Sequence, residues 1–419
     1  MVVWNFIISN IFQNPPVLLG LIAAIGLILQ RKGVADIIKG SLLTAFGMVI
    51  LTTGVNMLVG VILPVNSAFQ GLTGASAGDS LNADSFTSSF GSEVGMAMLF
   101  GLILHVLIAR FTPIKTIFLT GHMIWWFPFI FVAAAVEGGL GRWGSIATGA
   151  VAAALYWSLM PWALRKYVFK VIGDESFTLG HPTGFLSLIS GFVASKVGNP
   201  KRSTEDLNLP KGLSFFREIS ITGGIVLFIV FIVVGLLIPN SVSKDSNLAT
   251  VSITNALNFG AGLIILLSGV RLLISQIVPA FKGISEKVVP NALPAFDCPV
   301  IFSYRPNAVL IGFLTAMVTS TVLVLLCNGL NVFHVILIPL VITSFFECGT
   351  AAVIGEGQGG LRGSIIGTAV AAVFMVAAVG LSAIIYATTI QNWILIFGGN
   401  DFSLFGPIVK FIAQLIHMI

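Results

Sequence analysis

Residues 39–64, KGSLLTAFGMVILTTGVNMLVGVILP, recur half a chain later as residues 254–279, TNALNFGAGLIILLSGVRLLISQIVP. Without a gap, Gly47 matches Gly262, Ile50 Ile265, Leu51 Leu266, Gly54 Gly269, Val55 Val270, Leu58 Leu273, Ile62 Ile277 and Pro64 Pro279. A second pair follows in the same order: Gly144-Ser145-Ile146 and Ala150-Val151-Ala152-Ala153 return as Gly363-Ser364-Ile365 and Ala369-Val370-Ala371-Ala372. Apolar composition produces chance matches, but not matched glycines and a matched terminal proline in one order. An apolar chain made of two related halves points to a membrane transporter, because the halves can rock about a site between them.

The 419 residues are 56% hydrophobic and only 9% charged, with a mean hydropathy of +1.02. Soluble domains carry roughly 25% charged residues, so this chain cannot cover itself with polar groups in water. Apolar stretches fall at 17–29, 39–63, 94–109, 114–136, 143–164, 219–239, 254–278, 306–327, 332–350, 363–387 and 402–419. With roughly 20 residues needed to cross a bilayer, they predict an all-α polytopic membrane protein of about 11 spans. The expected division is a first repeat at 1–170, a connecting segment at 171–218, a second repeat at 219–390 and an additional C-terminal helix at 391–419.

Residues 1–16 lack a charged leader and a small-residue cleavage site, so no removable signal is expected. Cys298, Cys327 and Cys348 are too few and scattered for a disulfide framework or a zinc site. A net charge of +5 in such a chain reads as basic loops that hold orientation rather than as a nucleic-acid surface. Arg31, Lys32, Lys39, Arg110, Lys115 and the run from Arg165 to Arg217 all reach one face if the N-terminus lies outside; the connection 65–93 carries Asp79, Asp84 and Glu93 and no base. The C-terminus is then cytoplasmic. An odd number of spans per half makes the repeat an inverted one.

Two segments do not read as ordinary spans. Residues 176–198 are broken by Gly180, Pro182 and Gly184, and residues 289–306 hold prolines at 290, 294, 299 and 306. Proline removes a backbone donor, and unpaired backbone is not tolerated against lipid, so both are expected to be re-entrant elements at a transport site. The polar connection 198–212, GNPKRSTEDLNLPKG, reads as a plain cytoplasmic linker, with a docking surface for a cytoplasmic partner as the alternative.

His122, His181 and Asp297 fall where a membrane excludes charge. An Asp at the bilayer centre costs about 2.5–3.5 kcal/mol on insertion scales, so such residues mark substrate or ion paths by default. The plainer alternative is a buried side chain satisfied by backbone. Glu137, Glu347 and Glu356 stand near span ends and read as solvated or capping groups. Residues 355–360, GEGQGG, match a dinucleotide fingerprint only literally; with a membrane helix following and no strand before, they read as a sharp turn. Trp125 and Trp126 can stack on a sugar ring or simply pack between helices. Cys298 has no adjoining base to activate it and reads as a small buried residue. His105, His334 and His417 form no constellation.

LGLIAAIGLILQRKGVADIIKG (19–40), ARFTPIKTIFLTGH (109–122), the Gly180-His181 pair, EDLNLP (205–210) and AFDCPVIFSYRPNAV (295–309) together resemble the ascorbate-type IIC permeases of the bacterial phosphotransferase system, in order along nearly the whole chain. The resemblance implies a homodimeric subunit of the bacterial cytoplasmic membrane that moves substrate by an elevator-like displacement. It implies cytoplasmic IIA and IIB partners, with a IIB phosphocysteine phosphorylating the arriving sugar, and no cofactor, metal or phospho-accepting residue in this chain. It places His122, His181, Asp297, Trp126 and Thr183 in the substrate pocket, with Asp297 a candidate general base. Where the family's ascorbate pocket carries glutamines after both histidines, this chain has Trp125-Trp126 and Pro182-Thr183-Gly184. A site built for one hydroxyl pattern rejects others strongly, which widens the expected substrate to a related sugar, sugar acid or polyol. Two other classes stand beside this reading: an ion-coupled secondary transporter using Asp297, and a non-transporting scaffold, which the intramembrane Asp and His argue against.

Overall fold

The computed structural model describes residues 10–11, 14–73, 83–206, 218–243 and 246–418. Asp79, residues 207–210 of the EDLNLP motif, and Lys211 and Arg217 of the basic connection lie outside the described residues. The described chain is built from helices: α1 (Pro15–Leu29), α2 (Val34–Thr73), α3 (Ala83–Phe111), α4 (Gly121–Glu137), α5 (Arg142–Ile172), α6 (Gly184–Val197), α7 (Ile219–Leu237), α8 (Leu248–Lys287), α9 (Pro299–Phe302), α10 (Pro306–Gly329), α11 (Val341–Ile385), α12 (Gln391–Phe397) and α13 (Asp401–His417). Among the described residues 7 helices are long and apolar enough to cross a membrane, with α1, α4 and α6 shorter apolar helices. The protein is an all-α multi-pass membrane protein.

The sequence stretches differ from these helices in two places. The stretch 114–136 is a short strand followed by the short helix α4, and 332–350 is not a span: irregular backbone runs to Leu340, where α11 begins. Pro339 is part of the reason, since the residue before a proline is disfavoured in helical geometry. α11 itself is interrupted at Gly359 (φ −142°) and Gly360 (φ +60°). A Cβ on Gly355 would lie 2.9 Å from the carbonyl oxygen of Gly363, so the chain doubles back there. This is the sharp turn expected of GEGQGG. Gly360 needs its missing side chain: φ is positive, and a Cβ would sit 2.2 Å from the Arg202 carbonyl oxygen.

The repeated glycines mark the crossing of the repeat-related helices α2 and α8, 40 residues each. A Cβ on Gly54 would lie 2.4 Å from Leu266 N, and one on Gly269 2.2 Å from Leu51 N. One on Gly47 would lie 2.7 Å from Leu273 N, and one on Gly262 3.0 Å from Leu58 Cδ2. Gly54 and Gly269, Leu51 and Leu266, Gly47 and Gly262, Leu58 and Leu273 are the matched pairs of the repeat. Each glycine thus meets the counterpart of its own helix's leucine, which is the reciprocal contact pattern of a two-fold axis. The pairing runs in opposite directions along α2 and α8, so the repeat-related helices are antiparallel, as an inverted repeat requires.

Gly269→Val is expected to destabilise the protein, because overpacking a close contact costs about 1–3 kcal/mol. Gly60→Ala is the control: a Cβ there meets nothing within 4 Å. Thermal unfolding in detergent checks both, with a lower midpoint for Gly269→Val and an unchanged or slightly higher one for Gly60→Ala.

Three short strands sit inside the helical body: β1 (Thr116–Phe118), β2 (Thr178–Leu179) and β3 (Leu293–Phe296). They form one parallel sheet in the order β1-β3-β2, with Thr116 paired to Leu293 and Thr178 to Ala295. The sheet pairs backbone that proline and glycine keep out of helices, and so removes the cost of leaving it unbonded in an apolar interior. His105 completes the edge. Its Nε2 accepts the Phe118 N–H at 3.0 Å and its Nδ1 lies 2.8 Å from Ser158 Oγ, so the buried ring is neutral and fully partnered.

The polar connection is more than a plain linker over its described part. Asn199 donates its N–H to the Gly359 carbonyl (2.7 Å), and Leu361 donates to the Arg202 carbonyl (2.7 Å). Buried Glu356 accepts from Ser203 Oγ (2.5 Å) and Thr204 N (2.9 Å) and lies 3.5 Å from Arg305 Nε. Residues 199–204 therefore strap the turn of α11, and Glu356 is a structural anchor rather than a solvated end group.

Candidate functional site

Every strand of the small sheet delivers one site residue from its C-terminal end. β1 leads through Thr120 to His122 in the first turn of α4, β2 leads to Gly180-His181, and β3 leads directly to Asp297. Parallel strands commonly place ligand sites beyond their carboxyl ends. Here the Leu119 N–H to Ala295 carbonyl bond (2.9 Å) and the Gly180 N–H to Phe296 carbonyl bond (2.8 Å) fix the three leads relative to one another.

The three side chains that the sequence singled out meet. Asp297 Oδ2 lies 3.7 Å from His122 Nδ1, and Asp297 Oδ1 lies 3.6 Å from His181 Nε2. The imidazole centroids are 6.2 Å apart. Asp297 Oδ1 also accepts the Cys298 N–H at 2.7 Å, which orients the carboxylate. The thiol of Cys298 is buried, as the sequence reading expects. These residues line a cavity of about 330 Å³ together with Trp126, Trp393, Glu347 and Asn400. Its opposite wall is α2, through Met48, Leu51, Thr52, Val55, Asn56 and Val59. A larger cavity of about 630 Å³ lies against α5 and α13, but its lining is almost wholly aliphatic and aromatic, so it offers a polar solute little.

Trp126 stands at the cavity wall. Its ring packs on Trp393 (centroids 5.0 Å) and against Phe129, and it also faces the cavity. Thr183 is fully buried and stands behind the cavity rather than among its lining residues. Its hydroxyl donates to the Glu347 carbonyl at 2.8 Å and lies 3.0 Å from Ser187 Oγ. Thr183 thereby fastens the His181 loop to α11.

Asp401, which the sequence reading did not single out, holds the same loop. It is fully buried, and its N–H donates to the Pro182 carbonyl (2.9 Å). Its carboxylate accepts the Phe185 N–H (2.9 Å), capping α6 from another helix, and the Tyr156 hydroxyl (2.5 Å). Tyr156 Oη is also 3.0 Å from the His181 carbonyl oxygen. His181 is thus set by its neighbours' backbone bonds.

Glu347 was also missed. It is not a span-end group but a buried residue in the second turn of α11 that lines the cavity, with Oε1 accepting from Asn400 Nδ2 at 2.9 Å. By contrast Glu137 closes a helix junction as expected of an end group, accepting from Thr388 N (3.0 Å) and Thr389 Oγ1 (2.9 Å) beside Lys410.

One donor atom from each of His122, His181 and Asp297 lies within 4.8 Å of the other two, a spacing a divalent ion can bridge. A ligating histidine, however, ordinarily gives its second ring nitrogen to a carbonyl or carboxylate. His181 Nδ1 has no hydrogen-bond partner among the described residues. Hydrogen bonding to the hydroxyls of a polar ligand fits the donor set better.

A family model described as the sugar-specific permease component of the PTS system matches residues 10–401. The ascorbate-specific PTS system EIIC component of Mycoplasma pneumoniae is 26% identical, in an alignment covering 86% of this chain and 63% of that protein. The chain thus spans less than two thirds of the length of that relative.

Proposed function

Because the chain belongs to the sugar-specific permease components of the phosphotransferase system, we propose that it is a IIC subunit that binds L-ascorbate or a related sugar, sugar acid or polyol and carries it to a cytoplasmic IIB partner for phosphorylation. The observation that carries this reading is the convergence of His122, His181 and Asp297, from three strands, on one cavity walled by α2. In it His122, His181 and Asp297 bond substrate hydroxyls and Trp126 covers the ring or carbon chain. Thr183 belongs to the site by holding the His181 loop. Asp297 accepts the proton of the hydroxyl that takes the phosphoryl group from the IIB phosphocysteine, itself charged by a IIA protein.

An elevator-like movement is supported by how each wall of the cavity is fastened. α2 and α8 are locked by their glycine crossing. On the other side α6 and α11 meet at equally small residues, a Cβ on Gly367 falling 2.6 Å from Ser190 Oγ. The substrate lies between two internally tight bodies that can slide past one another. The remaining parts of the proposal are a homodimer in the bacterial cytoplasmic membrane, an outside N-terminus and a cytoplasmic C-terminus. The two inverted repeats span 1–170 and 219–390, with 171–218 connecting them and 391–419 added.

Vesicle uptake separates this from an ion-coupled secondary transporter. Labelled substrate is expected to accumulate, as its phosphate ester, only when phosphoenolpyruvate and the soluble relay proteins are enclosed, and uncouplers are expected to leave uptake intact. Accumulation of unmodified substrate driven by a proton or sodium gradient overturns the proposal.

A further inference from the structure

Phosphorylation brings a phosphoryl group to the substrate, yet no lysine or arginine is among the described residues that line the cavity. Phosphoryl transfer relies on cations that stabilise the charge on the transferring oxygens. The inverted repeat points to where one stands.

On α2 the cavity wall is Met48, Leu51, Thr52, Val55, Asn56 and Val59. In the register of the repeat their counterparts on α8 are Leu263, Leu266, Leu267, Val270, Arg271 and Ile274. The glycine contacts centre the two-fold crossing between Thr52 and Thr53 on α2 and between Leu267 and Ser268 on α8. This stripe of α8 looks at the same body as its counterpart on α2. Phe259, one turn ahead of Leu263, packs on Phe345 of α11 (centroids 5.4 Å), next to the cavity-lining Phe346. Leu263, Leu267 and Val270 are buried, whereas Arg271 at the end of the stripe is exposed. Arg271 has no hydrogen bond or ion pair among the described residues, and neither does the side chain of Asn56.

An arginine within an apolar span faces a wet cavity or a polar partner as a rule, because lipid accommodates it poorly. Asn56 stands one turn past the crossing on α2, and Arg271 one turn past it on α8. The helices are antiparallel, so the two positions fall on opposite sides of the crossing, about 10 Å apart at 1.5 Å per residue. Arg271 is on the side of the basic loops. Gln30 Nε2 donates to the Pro279 and Ala280 carbonyls (2.9 and 3.1 Å), which brings Arg31 and Lys32 to the end of α8 that follows Arg271. Inverted repeats exchange environments as a transporter changes state, so a pocket that faces Asn56 in one state faces Arg271 in the other.

We propose that Arg271 is the phosphoryl-binding residue of the cytoplasm-facing state, and that Asn56 contacts the substrate at the same place of the wall in the state described here. The guanidinium fork holds two phosphoryl oxygens at once, which a point charge cannot do. The substrate hydroxyl oxygen bonds to phosphorus as the S–P bond of the partner's phosphocysteine breaks. The thiolate leaves with the electron pair, the hydroxyl proton passes to Asp297, and Arg271 forms no covalent bond. This rests on the IIC reading above and adds to it a residue and a place for the transfer.

The test uses the full-length protein in vesicles with phosphoenolpyruvate and the soluble relay proteins, and labelled L-ascorbate, galactitol and D-xylose as probes. Arg271→Gln is expected to lower phosphate-ester formation at saturating probe at least hundredfold. Its equilibrium binding of the unmodified probe should stay within twofold of wild type, with an unchanged unfolding midpoint. Arg271→Lys, which keeps the charge but not the fork, should fall between the two. The isolated ester of the probe, offered to the cytoplasmic face, should compete at least tenfold less well in Arg271→Gln than in wild type. Asn56→Ala should show the reverse pattern, with probe binding weakened at least fivefold and ester formation at saturating probe near the wild-type rate. Wild-type ester formation by Arg271→Gln, undiminished competition by the ester, or unaltered binding in Asn56→Ala overturns the proposal. So does a defect of Arg271→Gln seen with anionic lipid and absent in phosphatidylcholine, which would make Arg271 an anchor to headgroups. If the wild type esterifies no probe, the IIC reading itself fails and this proposal with it; a wild type that does, beside an equally active Arg271→Gln, overturns the role of Arg271 alone.

Discussion

Asp297→Asn is expected to leave substrate binding measurable while phosphorylation-linked uptake falls about 10²–10⁴-fold, the range that positioned general-base help supplies. Asparagine keeps the size of the side chain and an oxygen able to accept the Cys298 N–H, so the fold around β3 has no reason to change. What it loses is the ability to take a proton and the attraction to the two imidazoles 3.6 and 3.7 Å away. Equilibrium binding of labelled substrate, set against phosphate-ester formation in vesicles with the relay proteins, separates the two effects. Equal ester formation in both forms removes the base role and leaves Asp297 a binding group.

Asp401→Ala is expected to be as severe for a different reason. The substitution strips the cap from α6 and leaves the half-buried Phe185 N–H without its side-chain partner, and it takes one of two partners from the buried Tyr156 hydroxyl. Each buried polar group left unsatisfied costs about 1–3 kcal/mol. The loss falls on the loop that carries His181, so substrate affinity should drop at least tenfold along with a lowered unfolding midpoint. Asp401→Asn is expected to recover much of the stability, because its oxygen can still accept the Phe185 N–H. Wild-type affinity in a folded Asp401→Ala protein would show that His181 is positioned without this bond, or that His181 does not hold substrate.

The backbone plan was legible in the sequence because its signals are local or repeated. Glycines at fixed repeat positions announced two related halves, and the structure shows that they are needed where the related helices cross closely. Prolines at 290, 294 and 299 announced non-helical backbone around Asp297, and the structure puts β3 and the short helix α9 there. His122, His181 and Asp297 stood out because ionisable groups are conspicuous among apolar residues. The sheet that joins them did not, because a strand of two to four residues has no periodicity to read and its partners are far apart in sequence.

Glu347 was misplaced for a concrete reason. The apolar stretch 332–350 has the composition of a span, which put Glu347 near its end; the true helix starts at Val341 and places it inside. Asn400 and Asp401 fell just before the last apolar stretch, 402–419, and were not singled out. A signal for them did exist: continuing the register of Gly144 with Gly363 beyond the bounds of the two repeats sets His181 against Asn400 and Pro182 against Asp401, one polar tip opposite the other. That polar residues from both tips reach one cavity is a long-range fact which no single stretch contains.

A structure of the protein with bound substrate tests the central claim most directly. Ligand density is expected in the cavity of about 330 Å³, within hydrogen-bonding reach of Asp297 and of at least one of His122 and His181, with Trp126 against its carbon face. Substrate held elsewhere, in the apolar cavity beside Tyr156 or out of reach of Asp297, would contradict it.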